Sequence, residues 1–164
     1  MMFYNRPENK LKGSTAVLVD VSGSMFPDRI EHAVALAILS KAYCERVHIM
    51  TFSRDLVYVG SMVKATEMEE AIVNSQAHST TELYDSVEKV LNTYHMVDRL
   101  LVITDEQDTG SLHWSGSMPA IKNKVKGYIM NVAPYEKGVS TSDGWEKISG
   151  LSERVFNYMQ KLES

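Results

Sequence analysis

Short, unbroken apolar runs alternate along this chain with longer segments whose apolar residues recur at helical spacing. Residues 15–19 and 100–104 are the clearest runs, and each is followed at once by an aspartate, Asp20 and Asp105. A strand buried on both faces reads this way. Between them, residues 29–45 predict a helix whose apolar positions cover most of its circumference, so it is packed nearly all round. Residues 47–52 predict a second strand, 53–55 a short turn and 56–59 a returning strand, which makes a hairpin at a sheet edge. Thr66 with Glu69 reads as a capping box that opens a short helix to about Ser75. Leu83, Val87, Val90, Leu91 and Tyr94 keep helical spacing through residues 82–94. Beyond Asp105, residues 106–116 read as loop, 119–124 as a short helix and 128–132 as a strand. A long loop with Gly138 and Gly144 follows, then a short strand at 145–148. Ser152 is placed to cap a closing helix with Val155, Phe156, Met159 and Leu162 inward.

Strands alternating with helices predict an α/β fold: a doubly wound, mostly parallel sheet with an antiparallel edge strand and helices on both faces. Residues 1–13 read as a tail or linker stub, and 14–164 as one domain. The tetrapeptide Ser-Gly-Ser-Met occurs at 22–25 and 115–118, but the second copy follows no strand and is read as coincidence.

Composition narrows the possibilities. The 164 residues are 44% hydrophobic and 23% charged, ordinary for a globular domain with its own core. Lys and Arg total 17 against 21 Asp and Glu, a net charge of −4 that opposes a general nucleic-acid surface. The single cysteine, Cys44, excludes an intrachain disulfide and suits a reducing compartment. The longest purely apolar stretch, 33–39, is far short of a membrane span, and residues 1–8 lack the core of a signal peptide. A cytoplasmic domain is expected.

Three polar clusters fall where an open α/β sheet binds ligands, beyond the carboxyl ends of strands. They are Asp20-Val21-Ser22-Gly23-Ser24, Ser79-Thr80-Thr81-Glu82 and Thr104-Asp105-Glu106. Each supplies oxygen and none a thiol, which suits a hard cation such as Mg²⁺. Alternation in Asp-x-Ser-x-Ser aims its oxygens to one side, with Gly23 expected to let the loop turn closely round an ion.

Asp20-Val21-Ser22-Gly23-Ser24-Met25 after an apolar strand resembles the metal-ion-dependent adhesion site of von Willebrand factor A domains. Thr81 fits that family's distant Thr, and Asp105 its strand-terminal Asp. Ser79 and Thr80 stand where the family often has two glycines, which leaves Thr80 or Thr81 to face the ion. The resemblance covers nearly the whole chain and implies a metal set of Asp20, Ser22, Ser24, Thr81 and Asp105. Ser22 and Ser24 would ligate through their hydroxyls, Thr81 directly or through water, and the two aspartates directly or through water. The implied ion is Mg²⁺, with Mn²⁺ or Ca²⁺ as substitutes, and a protein partner's acidic residue would fill the open position. Residues 128–135, then Gly138-Val139, Gly144-Trp145 and 148–152, resemble the C-terminal half of the A domain of TROVE, or Ro-type ribonucleoprotein, components. That resemblance implies RNA contact only through a separate helical-repeat region that this chain lacks. No membrane partner is expected.

Plainer roles compete at each position. Asp20 also suits the end of a strand, Thr80 or Thr81 a helix N-cap, and Asp105 a loop carboxylate. Glu106 and Asp108 read as solvated acids, and the basic run 122–126 as a solvated face. His32, His48, His78, His95 and His113 have no metal-ligand spacing, and only His78 borders a cluster. Met25, Met50, Met62 and Met68 read as core filling. Trp114 and Trp145 suit either the core or a binding rim. An enzyme reading would make Asp20 the nucleophile of a Mg²⁺-dependent phosphohydrolase resembling the haloacid dehalogenase family. That chemistry wants a general acid two residues on, where Ser22 stands. The chain is therefore expected to be no enzyme, and direct RNA binding is the third possibility.

Overall fold

The computed structural model describes residues 10–61, 63–94, 97–105, 119, 121, 125–133, 144–149 and 153–164. Its strands are β1 (Leu11–Asp20), β2 (Cys44–Phe52), β3 (Leu56–Gly60), β4 (Arg99–Thr104), β5 (Lys126–Asn131) and β6 (Trp145–Ser149). They form one sheet in the order β3-β2-β1-β4-β5-β6. Every neighbouring pair is parallel except β2–β3, so the expected doubly wound sheet with an antiparallel edge is present. The helices are α1 (Arg29–Tyr43), α2 (Met68–Val73), α3 (Leu83–Thr93) and α4 (Arg154–Glu163). No helix among the described residues is long and apolar enough to cross a membrane.

Strand alternation sorts the core into two layers. Val17, Val19, Ile49, Leu101, Ile103 and Met130 face the helices α1, α2 and α4. Leu18, Met50, Leu100, Val102 and Ile129 face α3 from the other side, joined there by Trp145. Because both faces are covered, the inner strands read as continuous apolar runs, which is why β1 and β4 were legible.

Several boundaries differ from expectation. β1 starts at Leu11, inside the stretch expected as tail, because buried Leu11 pairs with Cys44. The register shifts between Leu11 and Ser14, where Gly13 takes φ 89° and a Cβ would strike the Asp98 carboxylate. That pairing also ends α1 at Tyr43, because Cys44 is already extended. Thr66 caps nothing: it lies within a 3₁₀ turn at Ala65–Glu67, and the residue before α2 is Glu67. Leu162 is 44% exposed, not inward, because α4 buries only the stripe of Val155, Phe156 and Met159. The expected helix at 119–124, the loops at 106–116 and around Gly138, and the Ser152 cap fall wholly or largely outside the described residues.

At the amino end of the strands a buried polar network ties the last helix to the sheet. Arg99 Nε donates to Glu163 Oε2 at 2.8 Å, Arg99 Nη2 pairs with Glu163 Oε1, and Arg99 Nη1 donates to Thr15 Oγ1 at 2.8 Å. Tyr128 Oη also donates to Glu163 Oε2, at 2.7 Å. Burial alone would raise the Glu163 carboxyl, but Arg99 and Tyr128 outweigh it and hold it below the ordinary carboxylate value.

Leu18 is fully buried on the inner strand β1. Leu18→Ala is expected to lower the unfolding free energy by about 2–5 kcal/mol, through lost transfer energy and a residual cavity. Urea denaturation checks this, with exposed Tyr58→Ala expected to cost less than about 1 kcal/mol.

Candidate functional site

The chain reverses its direction of travel across the sheet between β1 and β4. β1 leads through α1 outward to β2 and β3, and the chain then returns to β4 on the other side of β1. Ligand sites of open α/β folds lie in the crevice at such a point. Val19 pairs with Ile103, so the strands deliver Asp20 and the residue pair Thr104-Asp105 to the same edge.

There the two carboxylates are wholly buried. Asp20 Oδ1 accepts the backbone N–H of Ser22 at 2.9 Å, and Asp20 Oδ2 accepts the Thr104 hydroxyl at 2.7 Å. The loop then turns through a short 3₁₀ segment, Gly23–Met25, anchored by buried Met25. Ser22 Oγ and Ser24 Oγ lie 3.3 Å apart, and Ser24 Oγ donates to Asp105 Oδ2 at 2.5 Å. Four of the five expected site residues thus form one connected oxygen cluster, with Ser22 buried and Ser24 exposed.

The fifth, Thr81, sits on the segment that borders this loop. Gly23 N–H donates to Ser79 O at 3.1 Å, Ser53 Oγ to Thr80 O at 2.6 Å, and Glu82 N–H to Ser53 O at 2.9 Å. Thr81 is 2% exposed while Thr80 is exposed, so Thr81 is the inward residue of the pair. Neither caps α3, whose N-cap position is Glu82. Gly23 lies against this segment. A Cβ there would meet the His78 and Ser79 carbonyl oxygens at 3.7 and 3.8 Å, ordinary contact, so packing against this segment does not require glycine.

Two participants were not singled out by the sequence. Arg29, the first residue of α1, donates from Nη1 to Asp105 Oδ2 at 3.0 Å. Buried Ser53 fixes the 79–82 segment through four bonds, its Oγ also accepting the Ser79 N–H at 3.0 Å and lying 3.3 Å from Ser79 Oγ. A cation in the first turn after an Asp-x-Ser-x-Ser loop was the available signal for Arg29. Ser53 carried none, since it reads as an ordinary turn residue. His78 stacks on Phe26 with ring centroids 4.0 Å apart, beside the loop. Trp145 resolves to the core, with Nε1 donating to Pro119 O at 2.7 Å. Glu106, Asp108, His95, His113 and Trp114 lie outside the described residues.

Electrostatics dominate the cluster. Burial pushes the Asp20 carboxyl up to about 7; hydrogen bonds from Ser22 and Thr104 oppose the rise, and the Asp105 charge adds to it. Among the described residues no group of three or more His, Cys, Asp or Glu forms a ready ligand set. The oxygen groups in contact at this edge are two carboxylates and the hydroxyls of Ser22, Ser24 and Thr104, with buried Thr81 on the bordering segment. Such an all-oxygen set is chemically matched to a hard divalent cation.

A family model described as "VWA domain containing CoxE-like protein" matches residues 2–120. No curated protein matches the chain. Among solved structures, the Deinococcus radiodurans RO (RSR) protein aligns with TM-score 0.67 at 12% identity, over 93% of this chain and 35% of that one. The ArnB paralog VWA2 from Sulfolobus acidocaldarius aligns with TM-score 0.56 at 16% identity, over 88% of this chain and 44% of that one. The conserved hypothetical protein BatB from Bacteroides thetaiotaomicron aligns with TM-score 0.59 at 13% identity, over 92% of this chain and 97% of that one. At these identities the likeness is one of fold, and the chain spans less than half the length of the first two.

The raised Asp20 value sets a pH dependence. A folded-state value above the ordinary 3.8 means that this contribution is fully present below about pH 4 and is lost as pH rises through about 7. With chelator present, Asp20→Asn is therefore expected to be more stable than the parent by about 2–4 kcal/mol at pH 8. The gap should shrink towards zero by about pH 4. Urea denaturation across this range checks both ends; a gap independent of pH would remove the charge as its cause.

Proposed function

Because the chain belongs to the family of VWA domain containing CoxE-like proteins, whose A domain is typically an interaction module, we propose that it is a metal-dependent protein-binding module. Its proposed ligand set is Asp20, Ser22, Ser24, Thr81 and Asp105. The observation that carries this reading is the burial of two mutually repelling carboxylates, bridged by Ser22 and Ser24, at the reversal point of the sheet. When bound, Mg²⁺, or Mn²⁺ or Ca²⁺ in its place, supplies a localised double positive charge with a coordination position open to a further oxygen.

The chain's own residues do the rest. Asp20 and Asp105 would balance the ion's charge, and the Ser22, Ser24 and Thr81 hydroxyls would complete the donor set without adding negative charge. Ser24 lies on the exposed side, so a partner's Asp or Glu would approach past it, with the Phe26–His78 stack as a shoulder. Asp20 is wholly buried with both oxygens engaged, which opposes its use as a nucleophile on phosphorus. The net charge of −4 opposes RNA as the direct partner. The narrower context we propose, the A domain of a cytoplasmic Ro/TROVE-like component, rests on the motif resemblance in residues 128–152, beyond the family match.

Mg²⁺ at about 100-fold over its dissociation constant is expected to stabilise the domain by about 2.7 kcal/mol. Thermal melts and titration calorimetry with and without chelator measure this. Ser22→Ala and Asp105→Ala should weaken the response by deleting a donor. A partner captured only with the ion present, and lost in Ser24→Ala, supports the binding role. No response to Mg²⁺, Mn²⁺ or Ca²⁺ by either method would overturn it, as would Mg²⁺-dependent phosphate-ester hydrolysis abolished by Asp20→Ala.

A further inference from the structure

We propose that Arg29 is the domain's own competitor for the divalent cation. Its guanidinium holds Asp105 in the ion-free state and leaves that carboxylate when an ion enters. The inference rests on the metal-binding reading above and concerns what sets the affinity of that site.

The geometry turns on one oxygen. Asp105 Oδ2 accepts both the Ser24 hydroxyl, at 2.5 Å, and Arg29 Nη1, at 3.0 Å. A carboxylate oxygen has about two lone-pair directions, so these donors saturate it. An ion that takes Oδ2 as a ligand must displace one of them. The Ser24 hydroxyl can turn its proton away and offer a lone pair to the same ion. The guanidinium carries only donors and a permanent positive charge, so it cannot share the oxygen with a cation. Repulsion between the two cations is weakly screened here, because the Asp105 side chain is 0% exposed.

Two further features fit a movable plug. The Arg29 side chain is 29% exposed, which gives the guanidinium an outward path into water. Arg29 also opens α1, the helix end whose dipole favours anions and disfavours a cation. The helix end therefore does not favour its present position, which the contact with Asp105 supports. In the ion-free state this arrangement neutralises one of two adjacent buried charges and keeps the empty cluster folded. The same contact must be given up on loading, so the ion binds more weakly than the five donors alone would bind it.

The test compares the full chain with Arg29→Gln and Arg29→Lys, using Mg²⁺ alone as the probe. Arg29→Gln is expected to bind Mg²⁺ about tenfold or more tightly by calorimetry. In chelator its melting temperature should fall below the parent's, so the two readouts move in opposite directions. A merely structural role would lower the melting temperature and leave affinity unchanged or weaker. Arg29→Lys keeps the charge without the planar fork and should lie between; it also serves should Arg29→Gln fail to fold. A parent that binds Mg²⁺, with Arg29→Gln no tighter, overturns this inference and leaves the metal reading standing. If none of the three binds Mg²⁺, Mn²⁺ or Ca²⁺, the metal reading fails and this inference with it.

Discussion

The parallel pairing of β1 with β4 forces two aspartates that repel each other to one buried edge, and the surrounding side chains are arranged around that repulsion. Once Val19 is in register with Ile103, neither Asp20 nor Asp105 can withdraw without breaking the ladder between inner strands. Both are fully buried, so water does little to screen them. The remaining freedom lies in what is placed beside each carboxylate, and the chain treats them differently. Asp20 receives neutral donors, the Ser22 N–H and the Thr104 hydroxyl, while Asp105 receives the Ser24 hydroxyl and a guanidinium. That asymmetry puts the unrelieved electrostatic load on Asp20.

The opposite end of the sheet solves the inverse problem. There Arg99 and Glu163 bring opposite charges together, with Tyr128 and Thr15 meeting their remaining hydrogen-bonding capacity. One end of the domain thus pairs opposite charges, and the other holds two like charges side by side. That concentration of like charge in one crevice is the physical ground for the metal site proposed there.

The architecture was readable because burial on both faces of β1 and β4 leaves uninterrupted apolar runs, and because each run ends at a carboxylate. The site's oxygen donors were readable for the same reason: Asp20, Ser22, Ser24 and Asp105 sit at fixed offsets from strand ends. What escaped was set by partners distant in sequence. Leu11 looks like part of a polar tail until Cys44 is placed opposite it. Thr66 and Glu69 satisfy a capping pattern, but the backbone tightens into a 3₁₀ turn before the helix begins. Leu162 fits the helical period, yet α4 buries a stripe too narrow to include it. Arg29 falls in the same class: the helix it opens was evident, but its side chain's target lies 76 residues away along the chain.

The irregular pairing of β3 has a consequence for how copies of this domain behave when crowded. β3 is the outermost strand of the described sheet on its side, only five residues long, and its register with β2 breaks between Ile49 and Met50. A straight edge would offer backbone donors and acceptors to the edge of another molecule, and sheets could then extend without limit. A short strand with a bulge in its pairing twists away from the flat template such stacking needs. The outer strand therefore acts as a stop against edge-to-edge fibre growth on that side, and self-association there is left to side chains rather than to backbone.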